Sequence, residues 1–229
     1  MARKSKALEK RSALEQAQDP DNSLFGGTAM SLVQGLLDSG IDGKGPFDSA
    51  EKVAREALAS EGSVDRAIDK IVSQHTRLAA VEGFVTGLGG FITLPIALPA
   101  NVAGFYLLAT RMSAAIAHLR GYALNEPQIR SAVLLSLVGS DGDELLKKAG
   151  VVAPTSAMTN FAAQRLPGPA LMVVNKAVGF RLLTQVGKRT LTRFGRAIPL
   201  AGGVIGAGLD GFLMRSVAKQ ARGEFPQSG

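Results

Sequence analysis

The sequence predicts an all-α protein, a multi-helix bundle of about seven to nine helices, from the number of helix-start signals and amphipathic runs. Three observations carry this expectation. Strand signals are missing, with no long period-two alternation and no Asn-Gly or Asp-Gly hairpin between β-branched runs. Helix starts are marked repeatedly by capping residues and by prolines in first-turn positions. Hydrophobic residues make up 46% of the 229 residues but aromatic residues only 5%. The apolar mass is therefore Ala, Leu, Val and Gly, which suits close helix–helix packing.

The elements follow in order. Met1–Asn22 is a polar arm with no apolar run, which excludes a secretory signal peptide and points to a cytoplasmic chain. Gly26, Gly27, Gly40, Gly43, Gly45 and Pro46 punctuate the next stretch and leave a short helix near Thr28–Leu37. Asp48 and Glu51 have capping-box spacing and open a helix with Val53, Ala57 and Leu58 at helical intervals. Ser63 reads as the next N-cap, followed by Asp65 and an apolar stripe of Ile68, Ile71, Val72 and Leu78. From Gly83 to Thr110 the chain then carries 28 residues without a charge, long enough to span a bilayer. Pro95 and Pro99 lie near its middle, and proline disfavours helix both at and before its own position. The expectation is a Pro-broken apolar hairpin: two half-segments, about Val81–Ile92 and Asn101–Arg120, joined by a turn at Thr93–Ala100.

Asn125 caps a helix over Glu126–Val138, with Pro127 in the first turn. Asp141 and Glu144 form a second capping box, with Lys147 and Lys148 in the last turn and Gly150 after it. Pro154–Leu166 is amphipathic, Pro169 starts a long helix to about Arg189, and Pro199 starts a Gly-rich C-terminal helix to about Arg222. The organisation expected is a polar arm with a short helix over residues 1–45, a helical domain over 46–222 and a tail over 223–229.

The chain has no cysteine, so disulfides, thiolate nucleophiles and Cys-ligated zinc are excluded. Its two histidines, His75 and His118, form no His-Glu-x-x-His motif, so neither a metal nor another cofactor is expected. His75 stands among polar residues and reads as a surface side chain; His118 lies seven residues after Arg111 on the same helical face, with no carboxylate or nucleophile nearby. Gly206–Gly211 spells G-x-G-x-x-G, yet only 18 residues follow, too few to complete a dinucleotide-binding βαβ unit. Glycines at G-x-x-x-G spacing, Gly83 with Gly87 and Gly202 with Gly206, permit close helix approach in lipid or in a packed bundle. Asp210 is the one charge within Ala197–Met214 and must pair or face water, with Arg111, Arg130 and Arg215 as candidate partners.

Charge is distributed unevenly. Residues 151–229 hold ten Lys and Arg against two acids, a net of +8, which leaves −1 for residues 1–150 out of the chain's +7. Arg189, Arg193 and Arg196 share one helical face, and Arg215, Lys219 and Arg222 repeat the pattern. A merely solvated face normally mixes signs, so a one-sign face points to an anionic partner. Nucleic acid is disfavoured because only Phe180 and Phe194 are available for stacking within the basic region. An anionic phospholipid surface or a bound lipid fits better.

Three segments together, GFVTGLGGFITLPIALPANV, LLATRMSAAIAHLRGYALNEPQIRSAVLLSLVGSDGDELLKKAGV and GRAIPLAGGVIGAGLDGFLMRSVAKQA, resemble the EcsC family over roughly Ala50–Ala221. The family takes its name from a gene beside an ABC-transporter pair, and no reaction is assigned to it. The resemblance implies that Pro95, Pro99, Arg111, Asp210 and Arg215 are characteristic positions. Members often carry an acid in the turn where this chain has Ile96-Ala97 or Asn101, and that departure weighs against catalysis. The function expected is a non-enzymatic, membrane-associated helical protein at the inner face of the cell membrane, accessory to a transport system and with a membrane-protein partner in reach. Phe84, Phe91, Ile92, Leu94, Pro95, Ile96, Leu98 and Pro99 would contact the membrane. Lys188, Arg189, Arg193, Arg196, Arg215, Lys219 and Arg222 would hold anionic headgroups, and Arg111 with Asp210 would form a buried polar centre. The alternatives are a soluble helical adaptor whose apolar hairpin is simply its core, and a hydrolase built on Asp210, His118 and hydroxyl groups.

Overall fold

A computed structural model describes residues 23–88, 90–138, 171–179, 181–182 and 199–227, and the side chains of these except at 23–26, 84–88, 90–102, 199–203 and 205. Helices α1 (Ser23–Leu36), α2 (Ala50–Glu61), α3 (Val64–Leu88), α4 (Gly90–Leu119), α5 (Pro127–Val138) and α6 (Pro199–Glu224) are joined by a π-helical turn at Leu37–Ile41 that continues α1. Residues 171–179 and 181–182 are also helical, and no strand occurs among the described residues. The protein is an all-α multi-helix bundle.

Local chemistry explains most boundaries. Ser49, not Asp48, caps α2: its backbone is extended and its Oγ accepts from the Lys52 N–H at 3.2 Å. Asp48 instead pairs through its side chain with Lys52 Nζ at 2.7 Å. Pro127 and Pro199 occupy the first positions of α5 and α6, where a missing N–H leaves no helical bond unmade. At the end of α4, Tyr122 N–H donates to Ala117 C=O and Gly121 N–H to His118 C=O, the paired bonds of a Schellman stop.

The expected turn at Thr93–Ala100 is absent. Helix α4 runs for 30 residues through both prolines, and the break between the two apolar helices falls after Leu88, where α3 ends, and before Gly90, where α4 begins. Each proline removes one N–H from the i→i−4 ladder, a local cost of about 3 kcal/mol that tertiary packing can override. α3 and α4 are roughly 37 and 45 Å long at 1.5 Å per residue. Among the described residues, no helix is long and apolar enough to cross a membrane.

The core runs through every described element. Ile68 and Ile71 of α3, Phe105, Met112 and Ile116 of α4, Ile129 and Leu134 of α5, and Met214 of α6 are buried. Each such side chain contributes about 1.5–3 kcal/mol on leaving water. Leu78, placed in the α3 stripe by its spacing, is instead 49% exposed. The bundle also includes residues from the expected arm and tail: Ala29, Val33, Leu36 and Ile41 join the same core, as does Phe225, whose ring meets Tyr122 edge-on at 5.3 Å.

α3 and α6 form the largest interface, and they run antiparallel: Gly83 faces Gly206, Thr76 faces Gly211, and Asp69 pairs with Arg222 at 2.6 Å. The crossing at Gly83 and Gly206 brings backbone against backbone. A Cβ on Gly83 would lie 2.7 Å from the Gly206 carbonyl oxygen, and a Cβ on Gly206 would lie 2.5 Å from the Gly83 carbonyl oxygen. Gly83→Ala should therefore destabilise the protein by about 2–3 kcal/mol, the range for overpacking against backbone that cannot yield. Gly208→Ala, where the new methyl meets nothing within 4 Å, should be neutral or stabilising by up to about 1 kcal/mol. Urea unfolding of the two variants compares them directly; equal midpoints would mean that the crossing is not tight.

Candidate functional site

Two separate polar centres lie inside the bundle. The first is built around Arg111 of α4. Gly40 of the π-helical turn rests on the Thr110 side chain, where a Cβ would come within 2.8 Å of Thr110 Cγ2. That contact carries the segment 42–49 over α4. The segment is held at its start by Arg130, which donates to both Asp42 carboxylate oxygens at 2.8 and 2.7 Å, and by the Lys44–Asp38 pair at 3.1 Å. Phe47 consequently covers Arg111, with Cζ 4.9 Å from the ring centroid. Arg111 is 8% exposed, and its Nε and Nη2 have no hydrogen-bond partner. Burial lowers its proton affinity, while the charge of Asp48 opposes this. Asp48 itself is held by Lys52.

His75 of α3 is a second buried polar residue and feels the Arg111 charge. It is not a surface residue: it is 3% exposed, its Nδ1 lies 2.9 Å from the Ile71 carbonyl oxygen, and its Nε2 has no partner. The polar neighbours of His75 in sequence misled because α3 is wrapped on several sides, so position on the helix decides burial. Burial, with a smaller contribution from the Arg111 charge, lowers its pKa to about 4 against the bond to Ile71. The imidazole is therefore neutral at pH 7, with the proton on Nδ1.

The second centre is acidic. Asp210 of α6 is 1% exposed and its carboxylate lies against Gly83. Glu82, one residue earlier on α3, lies against Gly104 of α4, and burial followed by the charge of Asp210 raises its pKa. Of the candidate partners of Asp210, Arg111 lies under Phe47, Arg130 binds Asp42 and Arg215 is exposed. The expected single centre of Arg111 and Asp210 is thus two centres, each made with residues the sequence reading missed: Phe47 and His75, and Glu82. Among the described residues, no group of three or more His and acidic side chains could hold a metal ion.

The basic faces divide. Arg215 and Lys219 are exposed on α6, but Arg222 is paired with Asp69. The acid that pairs with Arg222 comes from α3, across the interface. Lys188, Arg189, Arg193 and Arg196 lie outside the described residues. So do Asp141, Glu144, Lys147, Lys148 and the stretch Pro154–Leu166. Phe84 belongs to the last turns of α3, and Phe91, Ile92, Leu94, Pro95, Ile96, Leu98 and Pro99 to the first half of α4.

A Gly–Gly helix crossing beside a buried acid pair, with an arginine helix packed on it, defines an all-α bundle of the kind the sequence motifs indicated. The family model described as the EcsC protein family matches residues 51–226, and the chain belongs to that family. No curated protein and no solved structure gives a significant match.

The pH response of His75 follows from its shift. The unfolded imidazole takes a proton near pH 6.5 and the folded one only near 4. Its contribution to stability is complete above about pH 6.5 and is lost as the pH falls to about 4, by about 3 kcal/mol in all. Thermal melting between pH 7 and 4 should show this loss, and His75→Gln should flatten that part of the profile. An unchanged profile in the variant would assign the acid sensitivity elsewhere.

Proposed function

We propose that the protein is an amphitropic, lipid-binding membrane protein that docks one end of its bundle on an anionic bilayer, without enzymatic activity of its own. The observation that carries this reading is the lengthwise polarity of the bundle. The C-terminal end of α3 and the N-terminal ends of α4 and α6 lie together, because α3 meets α6 antiparallel and α4 starts two residues after α3 ends. From the middle of α3 and α6 towards that end, Leu78, Val81, Val204, Leu209 and Phe212 are exposed, Val204 and Phe212 by 67% and 68%.

The charges bordering this apolar surface support the same reading. Arg77, Arg215 and Lys219 are exposed just behind it, whereas the nearby acids Glu82 and Asp210 are half-buried and buried. An apolar flank with cations beside it combines two weak membrane signals, which together give stable yet reversible attachment. Each such cation near an anionic surface contributes about 1 kcal/mol, and apolar side chains entering the interface about 25 cal/mol per Å². The opposite end of the bundle pairs its charges internally, Asp65 with Arg120 and Asp69 with Arg222, and would face away from the bilayer. The inner face of the cell membrane is the setting this implies, with a role accessory to a membrane transport system.

Flotation with vesicles tests the reading. The protein should rise with vesicles containing 30% phosphatidylserine and not with pure phosphatidylcholine, and high salt should weaken the association. Phe212→Asp combined with Val81→Asp should abolish flotation while leaving the melting temperature unchanged, since both side chains are exposed. Arg215→Glu with Lys219→Glu should remove the preference for acidic lipid. A wild-type protein that stays at the bottom in every condition would sink the membrane reading and leave the apolar end as a docking surface for another protein.

A further inference from the structure

The exposed apolar residues of α3 and α6 do not share a side of the bundle. Each residue of a helix turns it by about 100°, so two residues turn it by about 200° and reverse the direction of a side chain. Thr76 and Ala80 of α3 lie against Gly211 of α6, and Gly83 lies against Gly206 and the Asp210 carboxylate. Leu78 is two residues from both Thr76 and Ala80, and Val81 is two residues from Gly83. On α6, Val204 and Gly208 are each two residues from Gly206, and Phe212 is two residues from Asp210. The two stripes therefore point away from the α3–α6 contact on opposite flanks, and a flat bilayer can lie along only one of them.

Charge decides between the flanks. The exposed surface of α6 carries no acid, because the only acids of that helix, Asp210 and Glu224, are 1% and 3% exposed. α3 exposes both signs, Asp65 and Asp69 as well as Arg66 and Arg77. An anionic surface attracts the first helix throughout and is partly repelled by the second. Val204, Gly208, Phe212, Arg215 and Lys219 are all exposed and recur at intervals of three and four, which keeps them on one face of α6. Along that face the apolar residues come first and the cations second, with Val204 about 20 Å from the middle of the Arg215–Lys219 pair. Apolar helix faces sit about 5–10 Å deep in a bilayer interface, and lowering Val204 by that much tilts α6 by about 15–30° from the membrane plane. We infer that α6 is the helix that meets lipid: it lies obliquely in an anionic phospholipid surface, with Val204, Leu209 and Phe212 among the acyl chains and Arg215 and Lys219 at the lipid phosphates, while Leu78 and Val81 of α3 stay in water. The inference rests on the membrane docking proposed above and specifies the flank on which the bundle leans.

The chain contains no tryptophan, so a single introduced indole reports only its own surroundings. Phe212→Trp and Val81→Trp, both at exposed positions of the full chain, are compared on phosphatidylserine-containing vesicles whose phosphatidylcholine is brominated on its acyl chains. The emission of Phe212→Trp should move to shorter wavelength and be quenched by the bromines, while that of Val81→Trp should stay as it is without vesicles. Arg215→Gln with Lys219→Gln should lower the vesicle partition coefficient about thirty-fold, about five-fold for each cation, at an unchanged melting temperature. Equal quenching of the two indoles, or quenching of Val81→Trp alone, overturns the inference and leaves the membrane reading standing. Flotation with neither indole quenched does the same, as does an unchanged partition coefficient in the double Gln variant. A protein that does not float with any vesicle overturns the membrane reading and this inference together.

Discussion

Helices reach backbone contact only where neither carries a side chain at the crossing, and α3 and α6 cross at Gly83 and Gly206. Much of the bundle's geometry follows from this contact. It fixes the antiparallel register that sets Thr76 against Gly211 and Asp69 against Arg222. It also leaves no space beside Gly83 for anything except the Asp210 carboxylate, which is held 1% exposed next to Glu82. Burial raises the Glu82 pKa, and the neighbouring Asp210 charge adds to the rise because two acids so placed disfavour joint ionisation. The close approach and the acid pair are one structural feature.

The same register makes the bundle polar along its length. With α3 and α6 antiparallel and α4 beginning at Gly90, the uncharged stretches of three helices gather at one end. From the middle of α3 and α6 towards that end, apolar residues are exposed at Leu78, Val81, Val204, Leu209 and Phe212. The far end is closed by Arg120 and Arg222 on Asp65 and Asp69, and by the Tyr122 hydroxyl on the Pro226 carbonyl at 3.1 Å. An EcsC-family bundle of this form keeps its fold-stabilising ion pairs away from the surface we assign to lipid.

The Arg111 centre obeys a different logic. Membership of the family is carried by residues 51–226, yet Phe47 and the segment that positions it lie before that range. Arg111 is thus covered by a part of the chain outside the family match. The π-helical turn at Leu37–Ile41 is the device that brings it there, since Gly40 must sit on Thr110 for the segment to cross α4. π-helical turns recur at functional positions.

The sequence by itself determined the all-α class, the starts of α5 and α6 at Pro127 and Pro199, the absence of disulfides, and the family. These are signals read within one helical turn or one motif, where the physics is local: a missing N–H, a capping hydroxyl, a glycine beside a proline. It expected a turn at Thr93–Ala100, where α4 continues through Pro95 and Pro99 as one 30-residue helix. It placed His75 on the surface, set Leu78 in the core and joined Arg111 to Asp210, all for one reason. Burial and partnership are decided by which helix lies alongside, and the acid that neutralises Arg222 comes from 153 residues away. Only the tertiary structure could decide that, because contact across such a separation depends on the register of α3 against α6 and not on any neighbour in the chain.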